Sequence, residues 1–152
     1  DMLAKFKDFY NQYFDIIKSK EMPLYIAINR FSSSYDKRTL ADKLVDLMIA
    51  MEALLGSQTE ITYKIALRFA YLLYPPSEDR KDAFRRIKKV YSERSKLVHG
   101  DRLEPKYTET QVDNFEDEVR RLIIKVLELN SQGIVLDSEE KIDNFLFFDN
   151  VN

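Results

Sequence analysis

Backbone breakers are scarce in this chain, and they fall between apolar-periodic segments, not inside them. There are 3 glycines and 4 prolines in 152 residues. An all-β fold needs many tight turns and cannot be built with so few, whereas long helices joined by short loops can. The apolar fraction of 45% and charged fraction of 33% are those of a globular chain of one domain with one core.

The apolar spacing divides the chain into helical segments. In residues 2–19, Leu3, Phe6, Phe9, Tyr10, Tyr13, Phe14, Ile16 and Ile17 form a helical stripe. Core packing is the expected use of its aromatics. Pro23 suits the first turn of a second helix running to about Ser33, with a loop over residues 32–36. A third helix is predicted from about Arg38 to Leu55, stopped by Gly56. It is apolar nearly all round from Leu44 to Leu55 and so belongs in the middle of the domain. Thr59 can cap a fourth, which stops before Pro75-Pro76. Ser77, followed by Glu78 and Asp79, opens a fifth that is predicted to reach about Val98 and stop at Gly100. Thr108 and Gln111 have the spacing of a capping box and open a sixth helix ending near Asn130. Ser138 caps a short last one carrying Ile142, Phe145, Leu146 and Phe148. Ile134-Val135-Leu136 is the one strand-like run and is too short to build a sheet. The expectation is an all-α, single-domain bundle of about six to seven helices.

Several function classes are excluded. There is no cysteine, so disulfides and thiolate catalysis are absent, which fits a cytoplasmic setting. One histidine cannot make a His-based metal cluster within one chain, and no metal or other cofactor is expected. No stretch approaches the roughly 20 apolar residues of a membrane span. Lys5, Lys7 and Asp8 break any signal-peptide pattern at the start. The chain begins at Asp1 and not Met, and is read as a fragment of a longer protein with a missing partner domain.

The net charge of -2 conceals two opposed segments. Residues 80–96 hold eight basic side chains against two acids, while residues 97–152 hold six against thirteen. A near-neutral chain of this kind can still bind a polyanion on one face. Arg85, Arg86, Lys88, Lys89 and Lys96 are the candidate contacts for such a polyanion, the alternative being a solvated charged helix face. The acids Asp113, Glu116, Asp117 and Glu118 suit the first turns of a helix, where the dipole favours them, and are not read as a metal cluster.

Four charged residues sit at apolar positions. Glu52 lies within the run from Leu47 to Leu55, Arg30 within Ala27 to Phe31, and Arg68 within Ile65 to Ala70. Each reads either as an inter-helix ion pair or as a charge that lines or braces a polar site. In the segment after Ser77 the stripe Ala83/Phe84, Ile87, Val90/Tyr91 steps next onto Arg94, which therefore takes a core-facing position, with Glu93 and Lys96 toward water. His99 follows at the carbonyl end of that helix, which favours imidazolium, and Ser95 is close enough in a helix to hydrogen-bond its ring.

Arg94 and His99 would point about 140° apart on an unbroken helix. Either the helix ends early or a second copy of the chain completes the site. An arginine and a histidine suit RNA cleavage by attack of a 2′-OH on the adjacent phosphate. That reaction needs a base, an acid and a cation for the charged phosphorus centre, and no metal. One histidine from each of two chains supplies base and acid.

Tyr91-Ser92-Glu93-Arg94-Ser95-Lys96-Leu97-Val98-His99-Gly100 resembles the Arg-x4-His signature of the HEPN superfamily, and more narrowly is similar to the Apea-like HEPN family. Ala27 to Phe31, the run Leu44 to Leu55, Glu60 and Arg68 fall in the order and spacing of that family, so the resemblance covers about residues 24–103. The N-terminal helix 2–19 and the acidic C-terminal helices 108–130 and 138–148 lie outside it and are expected to pack on it. The resemblance implies a helical bundle that pairs with itself and acts as a metal-independent RNase in a toxin or phage-defence setting. By that resemblance Arg94 holds the scissile phosphate and His99 moves a proton, in both chains of a homodimer. Many active members carry Asn, Asp or His after the arginine, where this chain has Ser95. Other HEPN domains bind RNA or nucleotides without chemistry, or serve as dimerisation modules of larger proteins.

Overall fold

The computed structural model describes Ala4, Lys7, Asn11, Phe14 and residues 23–93 and 107–149. Among these residues the chain is all-helical, with no strand. Six α-helices are described: α1 (Pro23–Ser34), α2 (Leu40–Leu55), α3 (Ile61–Leu73), α4 (Glu78–Ser92), α5 (Glu109–Ser131) and α6 (Glu139–Asp143). A π-helical turn, Asn144–Phe148, continues α6. Ala4, Lys7, Asn11 and Phe14 are helical too, as the N-terminal stripe predicts.

Side chains start most of these helices. Thr39 accepts a hydrogen bond from the Asp42 amide at 3.1 Å and opens α2 two residues later than Arg38. Ser77 and Ser138 cap α4 and α6 as expected. Thr108 and Gln111 form a complete capping box at the start of α5. Each such cap satisfies an amide that the helix leaves unpaired, a gain of about 1 kcal/mol. The start of α3 differs from expectation. Its N-cap is Glu60, which has a left-handed φ of 52° and makes no capping hydrogen bond, while the Thr59 hydroxyl accepts from Lys64 Nζ at 3.3 Å.

The helix ends follow the breakers closely. Pro75-Pro76 stops α3 at Leu73. Gly133, with φ 82°, closes α5: the Ile134 amide reaches back to the Leu129 carbonyl at 2.9 Å, a turn that favours a residue without Cβ. Gly56 closes α2 for another reason. A Cβ there would lie 2.3 Å from the Glu52 carbonyl oxygen.

α2 lies in the middle, as its apolar circumference requires. It packs against α1, α3 and α5. The connections of residues 35–39 and 74–77 are short, so α1/α2 and α3/α4 form helical hairpins. α5, 23 residues and so about 35 Å long, lies across α1, α2 and α3. Leu44, Leu47, Met48, Met51, Phe69, Ile87, Val112 and Leu122 fill the space between them, each 4% exposed or less. Tyr91 joins α4 to the centre by donating its hydroxyl to the Met48 carbonyl at 2.6 Å.

α4 ends at Ser92, short of Val98. The Ser92 hydroxyl donates to the Lys89 carbonyl at 2.8 Å, and the Glu93 amide turns back to the Val90 carbonyl at 3.3 Å. Both draw on carbonyls that another helical turn would need.

Candidate functional site

Arg94, Ser95, Lys96 and His99 lie outside the described residues, so the sequence signature is approached here from its two flanks. Glu93 precedes it and Tyr107 follows it. The Tyr107 hydroxyl donates to the Glu93 carboxylate and so ties the two flanks together. Burial and the neighbouring carboxylate push that phenol well above its ordinary ionisation range, so it acts only as a neutral donor.

The basic face of α4 is exposed but partly spent. Arg85 pairs with Asp82 at 2.9 Å, and Arg86 pairs with Glu118 on α5. Lys88 lies 5.8 Å from the Phe84 ring centroid. Among the described residues neither Lys88 nor Lys89 meets a carboxylate. Of the four arginines and lysines predicted on this face, two are therefore left with charge to offer a partner.

Beside this face a groove separates α4 from α5. α4 rests on α3, α5 rests on α1, α2 and α3, and the two barely touch each other. The resulting cavity, of about 560 Å³, is lined by Arg86, Lys89, Val90, Tyr107, Gln111, Asn114, Phe115 and Glu118.

The three expected supporting charges occupy different surroundings. Arg68 is 1% exposed and makes five hydrogen bonds. Two go to Asp143 at 2.8 and 2.9 Å, one to Glu139 at 3.0 Å, and two to the carbonyls of Leu55 and Gly56 at 3.0 and 3.1 Å. These carbonyls are the last of α2, so the guanidinium caps the negative end of one helix while pairing with another. It is an inter-helix brace with no donor left over. Glu52 is half-buried, not fully buried, and lines a second cavity of about 400 Å³ with Gly56, Ser57, Gln58, Ile61 and Glu139. Glu52 and Arg68 thus converge on the same end of α2.

Arg30 is corrected. Its side chain is 48% exposed and pairs with Asp46 at 3.3 Å. The buried member of that pair is Asp46, with Lys37 as its second partner at 3.2 Å. Burial pushes the Asp46 carboxyl up, but Ser33, Lys37 and Arg30 together hold it below the usual range. Arg30 lies on the α1 side of α2 and shares no partner with Arg68.

The acidic start of α5 is corrected as well. Glu116 is 7% exposed, and its carboxylate accepts from Lys43 at 2.6 Å and Tyr35 at 2.8 Å, with Arg120 beside it. It is a structural hub joining α5 to α2 and to the α1–α2 turn, not merely a complement to the helix dipole. Glu118 is the partner of Arg86. The signal for Glu116 was its place at a core-facing step of α5, where Val112, Phe115, Glu116 and Val119 are all buried. Among the described residues no group of three or more acidic or histidine side chains is placed to hold a metal ion. None of their helices is long and apolar enough to cross a membrane. Comparison with protein-family models, curated proteins and solved structures returns no match.

Proposed function

We propose that this chain is a HEPN-type, metal-independent endoribonuclease that works as a homodimer in a toxin or phage-defence-like setting. Arg94 steadies the scissile phosphate and His99 transfers the proton. The 2′-OH attacks the adjacent phosphorus, the P–O5′ bond breaks, and the products carry a 2′,3′-cyclic phosphate and a 5′-OH. His99 of one chain takes the 2′-OH proton and His99 of the other gives one to the leaving oxygen. The observation that carries this reading is the pair Lys88 and Lys89, exposed near the end of α4 and ahead of Arg94 in sequence, with no carboxylate among the described residues against them.

The test is incubation of the purified chain with single-stranded RNA in EDTA, scored for 2′,3′-cyclic phosphate ends. His99→Ala and Arg94→Ala are each expected to slow cleavage by about a hundredfold or more. Cleavage that survives His99→Ala unchanged would sink the reading. A second reading, a module that binds RNA or a nucleotide without cleaving it, is favoured by Ser95 after the arginine and by the internal pairing of Arg85 and Arg86. Tight RNA binding with no cyclic phosphate would establish it in place of the first.

A further inference from the structure

We propose that the groove between α4 and α5 is a nucleotide subsite, taking a base on its floor and the attached phosphate at Lys89. It rests on the nucleic-acid reading above and adds to it a place where one nucleotide sits.

The groove has the three kinds of surface that a nucleotide presents in complement. Its floor is apolar, formed by Val90 and by Phe115, which is 4% exposed. A flat base can lie against such a floor. One rim carries carboxamides on the first turns of α5. The Asn114 side chain makes no hydrogen bond among the described residues, so its carboxamide keeps both donor and acceptor for the edge of a base. Gln111 has its oxygen committed to the Thr108 amide at 2.9 Å and keeps its NH₂. The other rim carries Lys89, whose ammonium has no carboxylate among the described residues.

Charge in the groove favours one phosphate, not a run of them. Glu118 would repel an anion, but it is held by Arg86, so the pair is close to neutral and also bridges the two helices. Among the described residues of the groove Lys89 is left as the cation without a carboxylate, which matches a single phosphodiester. The volume of about 560 Å³ lies within the range of cavities that enclose small organic ligands. Tyr107 lines the same groove, and its hydroxyl is held by Glu93, the residue that precedes Arg94 in sequence.

The same chemistry belongs to a free nucleotide and to one unit of an RNA chain, so both are titrated. The probes are adenosine 5′-monophosphate and a short 2′-O-methyl oligoadenylate, which lacks the attacking hydroxyl and can be used with the unmodified protein. Lys89→Gln and Asn114→Leu are exposed substitutions, checked for an unchanged thermal melt, with Lys81→Gln as a control on the far part of α4. Each of the two groove variants is expected to weaken binding about three- to tenfold, and the control to leave it unchanged. Loss with the oligonucleotide assigns the subsite to an RNA chain, and loss with the monophosphate alone assigns it to a free nucleotide. Binding that ignores both variants, or no binding of either probe, overturns the proposal. Cleavage of natural RNA by the unmodified chain is scored in parallel. Cleavage with groove variants that bind normally sinks the subsite and leaves the nuclease reading, whereas groove-dependent binding without cleavage does the reverse.

Discussion

Arg68 and Lys89 are both long cationic side chains on helices of the same hairpin, yet the fold uses them in opposite ways. Arg68 is 1% exposed and every donor of its guanidinium is bound. Lys89 is exposed, and no described carboxylate meets it. The difference lies in what surrounds each one. Arg68 faces the carbonyl end of α2 and two carboxylates of α6, groups that would otherwise need water. Lys89 faces a groove that exists because α4 and α5 rest on other helices. A cation that answers buried acceptors belongs to the fold, and one that answers none is available to a ligand.

The sharpest way to break this comparison is to remove the first cation. Arg68→Met should cost about 2–4 kcal/mol, because two helix-end carbonyls lose their donors, while the Glu139 and Asp143 carboxylates left behind are over a third exposed and can hydrate. The melting temperature should fall by roughly 10 °C. Arg68→Lys should recover little, since one ammonium cannot span Asp143, Glu139 and two carbonyls at once. A loss below about 1 kcal/mol by urea unfolding would show that Arg68 is not what joins α2, α3 and α6.

Gly56→Ala comes next. The added methyl would meet the Glu52 carbonyl at 2.3 Å, so the end of α2 must shift and carry an Arg68 acceptor with it. A loss of about 1–3 kcal/mol is expected. If Arg68 and Gly56 act through one contact, the double variant should lose less than the two single losses added together.

These features were unequally legible in the sequence. Helix starts that rest on one local residue type, such as Ser77, Ser138 and the Thr108–Gln111 pair, stand where the sequence places them, because capping is decided within four residues. Arg68 was legible as a misplaced charge, but its partners were not, lying 71 and 75 residues away. Asp46 looked like an ordinary surface acid, and Glu116 carried only its core-facing step on α5. Their burial depends on Lys37, Lys43 and Tyr35 arriving from other segments, which no local pattern encodes. The end of α4 differs from the pattern for another reason: the apolar stripe continues past Ser92, while the Glu93 amide turns back to the Val90 carbonyl in a tighter bond. Of the candidate site, Arg94 and His99 lie outside the described residues, and the groove between α4 and α5 was not legible because it arises from the spacing of two helices.

The acid side of the Arg68 brace gives a pH signature. Ser57 and Arg68, with the Gln58 amide, lower the Glu139 carboxyl from its ordinary 4.5 to about 2. A depressed folded-state pKa means that this contribution is present above the unfolded value near 4.5 and is lost as pH falls toward 2. Glu116 is shifted in the same direction: burial raises it, but Lys43 and Tyr35 bring it lower overall. Urea midpoints should therefore decline below about pH 4.5, and Glu139→Gln should flatten that decline while lowering the midpoint at neutral pH. An unchanged acid slope in Glu139→Gln would detach this carboxylate from the brace.

The smallest effect on stability is expected at the other pole of the comparison, and there the smallness is informative. Lys88→Gln and Lys89→Gln remove charges that no described carboxylate answers, so unfolding should change by less than about 0.5 kcal/mol. If those charges meet phosphates instead, each substitution should reduce the salt slope of single-stranded RNA binding by about 0.7. Arg85→Gln should move that slope less, because Asp82 already answers its charge at 2.9 Å. Equal shifts for all three would mean that the internal pairing of Arg85 does not hold in solution. A flat salt response in the unmodified chain would take the α4 face out of RNA contact altogether, and the comparison with Arg68 would then be between a braced cation and a merely solvated one.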